Sequence, residues 1–128
     1  MRSPAPACAP SSSGSAPPAA PTRTYPHGDT LAPDDANVGE AGSDFAGYGP
    51  DAVGAHPASR SVFGVDDLAG NVWELARSAF GETRYVVRGG GYPLDEVAAM
   101  STMRDLVHDQ LRDASIGFRI CADAIPAR

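Results

Sequence analysis

A chain of 128 residues has room for one domain at most, and its net charge of −6 supplies no basic patch to neutralise nucleic-acid phosphates. No apolar run approaches the ~18 residues of a membrane helix, and the first 20 residues lack the apolar stretch of a secretory signal, so no membrane partner and a cytoplasmic setting are expected. Two cysteines, Cys8 and Cys121, do not make a disulfide framework.

Residues 1–22 hold six of the twelve prolines, with alanine and serine filling most of the rest. Such a tract has almost nothing to bury and is expected to be a disordered tail or linker. Residues 24–60 are rich in Gly, Pro, Asp and Ala without hydrophobic period, so they are expected as long ordered loops, free-standing or held by a metal. Asp35, Asn37 and Gly39 briefly resemble an EF-hand loop, but Ala46 stands where that loop needs a bidentate carboxylate. Residues 65–69 can form one helical turn closed by Gly70, and 71–76 are expected as a strand carrying Val72, Trp73 and Leu75. The clearest strand signal is RYVVR at 84–88, β-branched and aromatic, ended by Gly89, Gly90 and Gly91. Those glycines fit no phosphate-loop pattern. Residues 94–100 read as a short helix or an irregular crossing, 105–111 are mixed, and 116–121 form a final strand in which Cys121 is a small hydrophobe.

Between Asp29 and Glu74 there are nine carboxylates and a single arginine, Arg60. Solvated loops account for such a bias, and so does cation binding. The segment Phe63-Gly64-Val65-Asp66-Asp67-Leu68-Ala69-Gly70-Asn71-Val72-Trp73-Glu74 concentrates both possibilities. Asp67 and Glu74 bracket Gly70 and Asn71, so carboxylates and carbonyls from one turn can converge on a hard cation, which takes six to eight oxygens. The alternative is a solvated turn before a buried strand. Glu74 has a second possible role, anchoring a neighbouring loop without any metal.

That segment, followed by Arg88-Gly89-Gly90-Gly91 and Gly117-Phe118-Arg119, resembles the ordered signature of the formylglycine-generating enzyme (sulfatase-modifying factor) family. Tyr25-Pro26-His27-Gly28-Asp29 and Asn37-Val38-Gly39 resemble two earlier elements, with His27 where the family has tryptophan. The resemblance runs over residues 24–124. It implies an α+β, C-type-lectin-like formylglycine-generating-enzyme fold, loop-rich with short strands and tied by calcium. One calcium site would fall on Asp67, Gly70, Val72 and Glu74. A second would fall on Asn37, Val38, Asp44 and, less directly, Ala46.

The family's oxidases hold copper with two cysteines shortly after the RGG element. Here those positions are Leu94 and Ala99, and no cysteine lies between Gly89 and Ile120. Thiolates are the natural Cu(I) ligands, so a copper site is not expected. In the related iron-dependent sulfoxide synthases the iron is held by histidines; His27, His56 and His108 are scattered without ligand spacing and read as surface or loop residues. Met100 stands where many members have arginine, whereas Arg104 keeps the second arginine of that element. The resemblance does not include the N-terminal half of the family domain, so a gene fragment or a truncated paralogue with exposed edges is expected. Similar domains are fused to bacterial serine/threonine kinases. The expected function is therefore a non-catalytic, calcium-stabilised binding or structural module, or its remnant, with a fused or neighbouring kinase or the missing half as partner. The alternative is an oxidoreductase domain of the formylglycine-generating or sulfoxide synthase type that needs a partner domain.

Overall fold

The computed structural model describes residues 22–39, 48–76 and 84–120. The expected tail (apart from Thr22), Cys8, Cys121, Asp44 and Ala46 lie outside the described residues. Four strands form one mixed sheet: β1 (Trp73–Ala76), β2 (Arg84–Arg88), β3 (Asp105–His108) and β4 (Ile116–Gly117). Their spatial order is β3-β2-β1-β4. β2 pairs antiparallel with both neighbours, Leu75 facing Val87 and Val86 facing Leu106. β4 lies parallel to β1, with Trp73 opposite Ile116 and Glu74 opposite Gly117.

The β-branched run at 84–88 thus supplies a central strand, as its composition predicts. The strand expected over 71–76 begins later, at Trp73. The final strand expected over 116–121 is only two residues long among those described. Residues 105–108, mixed in sequence, pair as the edge strand β3. Along β3 only Val107 is half-buried, which explains the weak alternation. A single 3-10 turn, Pro57–Ser59, is the only helical element among the described residues. The helical turn expected at 65–69 does not form, because Asp67 takes a left-handed conformation (φ 55°) that interrupts any helix. Residues 94–100 are an irregular crossing built from successive tight turns, with the amides of Ala98, Ala99 and Met100 each bonded three residues back. None of the described helices is long and apolar enough to cross a membrane.

The interior is small and made largely by loops. Tyr25, Ala36, Ala69 and Ala99 form its centre, with Leu31, Val38 and Met100 packed against them. Val86, Val87 and Ala98 are the other buried apolar residues among those described, while Ser59, Ser61, Asp67 and Asn71 are buried polar ones. With mostly alanine and valine to bury, hydrophobic transfer alone gives modest stabilisation, about 25 cal/mol per Å² of apolar surface. Positioning of the loops falls to buried hydrogen bonds, each of which would be costly to leave unmade.

Candidate functional site

The segment singled out in the sequence lies where three loops meet the start of β1. Gly70 enters with φ 75°, and an added Cβ would lie 2.6 Å from the Asn37 carbonyl oxygen and 2.9 Å from Val38 Cγ1. Only glycine allows that approach, and the Gly70 amide uses it to donate to the Gly89 carbonyl at 2.7 Å. Asn71 follows at φ 65°, a region Asn tolerates better than other residues with a side chain. Its amide donates to the Asn37 carbonyl (2.7 Å) and its carbonyl accepts from Tyr92 (2.8 Å). Its side chain, 6% exposed, brackets Asp51: Oδ1 accepts from the Asp51 amide (2.8 Å) and Nδ2 donates to the Asp51 carbonyl (3.3 Å). That pairing fixes the orientation of the amide group, since a backbone N–H can only donate and a carbonyl only accept. Asn37 completes the junction, donating from Nδ2 to the Gly49 carbonyl (2.9 Å) and to Asn71 Oδ1 (3.4 Å).

Asp67 is nearly buried (8% exposed) and its Oδ2 accepts from the Gly54 amide at 2.7 Å. The left-handed backbone lets its side chain and its carbonyl serve different partners. The side chain holds the 48–56 loop, while the carbonyl meets Arg119 Nη2 at 3.4 Å. Arg119 Nη2 also donates to the Asp66 carbonyl at 2.9 Å. The same guanidinium grips Glu74: Nε donates to Oε1 (2.8 Å) and Oε2 (2.9 Å), and Nη2 makes a further short bond to Oε1. The carboxylate holds the Arg119 pKa above its ordinary value, against the opposing effect of partial burial. Gly117 makes this reach possible, because a Cβ there would meet Val72 Cγ2 at 2.9 Å. Between Gly117 and Arg119, Phe118 turns outward and is 76% exposed.

A second polar clasp closes the other side of the 48–56 loop. His56 Nδ1 lies 2.9 Å from the Asp34 carbonyl and Nε2 lies 2.9 Å from Asp51 Oδ2. Both neighbours are acceptors, so the two bonds form together only in the imidazolium form, in which both ring nitrogens carry protons. The Asp51 hydrogen bond, then the Asp34 carbonyl, raise the His56 pKa, with smaller help from the charge on Asp67 and opposition from burial.

The predicted cation ligands are therefore distributed as follows. Asn37 and Val38 are drawn onto Gly70 and Asn71, so the two expected sites share one junction. Asp67 and Glu74 share Arg119 as a neighbour, but the hydrogen-bonded oxygens of their side chains serve different donors, Gly54 and Arg119. Both Glu74 oxygens are engaged by Arg119, and among the described residues no group of three His, Cys, Asp or Glu forms a metal-holding cluster. A cation at this turn would have to displace the guanidinium from the Glu74 carboxylate. Sequence reading placed Asn71 and Arg119 in motifs without giving either a role. It missed Asp51 and His56 as partners; the one signal for Asn71 was its place after Gly70, where a left-handed pair is favourable.

The sulfatase-modifying factor enzyme 1-like domain family matches residues 10–124. The chain belongs to that family. The motifs AGN, RGG and GFR, which resemble the family signature, are the ones that knit the loop junction. No curated protein matches. A solved structure with a similar fold is Treponema denticola variable protein 1, at a TM-score of 0.53 and 20% identity, over 66% of this chain and 34% of that one. The chain thus spans about a third of the length of that neighbour, and the likeness concerns fold alone.

Proposed function

We propose that this member of the sulfatase-modifying factor family is a non-catalytic binding or structural module with a C-type-lectin-like fold. The observation that carries the reading is the side chains at the two positions where the family's oxidases place thiolates. Leu94 is partly exposed and apolar, and Ala99 is 1% exposed, its methyl group committed to the core beside Tyr25, Ala36 and Ala69. Neither can ligate copper, and refilling Ala99 with a larger donor would disturb the packing around Gly90, whose α-carbon faces the Ala98–Ala99 peptide. The family resemblance adds calcium at Asp67, Gly70, Val72 and Glu74, where calcium and Arg119 would compete for the Glu74 carboxylate, so metal there would come at the cost of the ion pair. The test is incubation of the purified chain with copper, oxygen and a sulfatase-type cysteine peptide. No formylglycine should appear by mass spectrometry above a no-protein control; conversion above that control refutes the reading.

A second reading is favoured by the span of the chain, about a third of its solved neighbour. In it the chain contributes one part of a larger bacterial, cytoplasmic oxidoreductase of the formylglycine-generating or sulfoxide synthase type, completed by an N-terminal half or a kinase-fused partner. Recovery of oxidase activity on adding such a part in trans distinguishes it.

A further inference from the structure

We propose that Arg119 replaces a metal at the Asp67–Glu74 turn: the guanidinium is a built-in cation that ties β1, the 66–67 turn and the segment after β4 together without calcium. Four oxygens surround it, Glu74 Oε1 and Oε2 and the carbonyls of Asp66 and Asp67. They come from two separate stretches of chain and converge on one charge, which is the task a loop-bound cation performs. The hydrogen-bonded carboxylate is matched by the guanidinium charge, with the carboxylates of Asp67 and Asp66 adding attraction through space. Glu74 supplies the one carboxylate in the ring, since the bonded oxygen of Asp67 is turned to the Gly54 amide. A divalent ion there would face a single carboxylate and find its two oxygens already bonded. The planar fork suits the job: two of its nitrogens span the carboxylate while one also reaches the carbonyls. Sequence supports the assignment, because Gly117 removes the Cβ that would strike Val72 and lets the chain bring Arg119 back towards β1.

The closing experiment uses the full chain and calcium chloride or EDTA, with thermal melting and terbium luminescence sensitised by Trp73. A calcium ion held at 100-fold over its dissociation constant would raise Tm by roughly 10–20 °C for a domain of this size. Wild type is expected to show no such rise, no fall with EDTA and no terbium signal. Arg119→Gln, which frees the four oxygens, is expected to melt lower in EDTA and to regain part of that loss in millimolar calcium. Glu74→Gln combined with Arg119→Gln is expected to melt no lower than either single variant and to ignore calcium. A wild-type Tm that drops with EDTA and recovers with calcium, or a wild type that folds only with calcium, overturns the proposal. So does an Arg119→Gln protein that folds and ignores calcium. Should both variants fail to fold, the wild-type titration alone decides.

Discussion

Asn71 is the residue on which most separate segments depend, and its replacement isolates what the loop junction is worth. In Asn71→Gly the positive φ is kept while the bonds to the Asp51 amide (2.8 Å) and carbonyl (3.3 Å) are lost. Each net hydrogen bond is worth about 0.5–1.5 kcal/mol, and glycine adds about 0.5–1 kcal/mol of backbone entropy, so a loss of about 1.5–4 kcal/mol is expected. Asn71→Ala adds the left-handed penalty of a side chain that cannot bond locally, roughly 1 kcal/mol more. Asn71→Asp is the sharpest variant. It keeps the acceptor for the Asp51 amide but sets a second oxygen against the Asp51 carbonyl, where only a protonated carboxyl can donate. Its folded-state pKa is thereby raised, so the variant is closest to wild type at acid pH and loses stability as pH climbs past the unfolded carboxyl value of about 3.9. Urea unfolding at several pH values, with amide exchange at Asp51 as a local probe, measures both effects. An Asn71→Gly midpoint equal to wild type, with Asp51 exchange unchanged, would refute the role of the amide. A pH-independent Asn71→Asp deficit would refute the donor–acceptor assignment.

His56 gives a pH dependence of the same sign, set higher on the pH scale. Its folded-state pKa is raised above the ordinary 6.5, so its contribution is complete below that value and is lost as pH rises through the folded one. The stability advantage of wild type over His56→Gln, about 1 kcal/mol after discounting for the exposed Asp51 carboxylate, should therefore shrink between mildly acidic and alkaline pH; an advantage constant across that range contradicts the imidazolium clasp. Gly90→Ala places a Cβ 2.8 Å from the Ala98 carbonyl carbon at φ 70°, in contact with backbone that cannot yield cheaply. A loss of about 2–5 kcal/mol in urea melts is expected from the left-handed penalty and overpacking together. Gly28→Ala, with nothing within 4 Å of its added Cβ, is the matched control and should be near neutral; equal losses at the two positions would show that packing at Gly90 is not the cause.

What the sequence made legible follows from how local each signal was. Val86 and Val87 announce β2 because a β-branched run between glycines has few other uses, and the structure buries both. The motif order announced the family. The turn at 65–69 misled because helix propensity ignores a side chain that finds a better partner elsewhere, as Asp67 does with Gly54, 13 residues away. Leu106 and His108 give β3 no alternating pattern, since an edge strand with one half-buried residue need not have one. The pairing of Glu74 with Arg119 was out of reach of local reasoning: 45 positions separate the two, and each taken alone fits a dozen roles. His56 was read as a loop histidine, which it is, but its two acceptors lie 22 and 5 residues away and no spacing rule links them.

The parallel pairing of β4 with β1 also sets the order in which the chain can assemble. β1 and β2 are hairpin neighbours, whereas β4 reaches β1 only after β2 and β3 have been laid down between them in sequence. Closing so long a loop costs entropy before any contact repays it, and non-local strand pairing of this kind folds slowly, on the order of milliseconds to seconds. Because Arg119 follows β4, its bond to Glu74 depends on the same long-range closure. Without Arg119 in place, the open side of β1 would carry the uncompensated Glu74 carboxylate, a charge at an exposed strand edge.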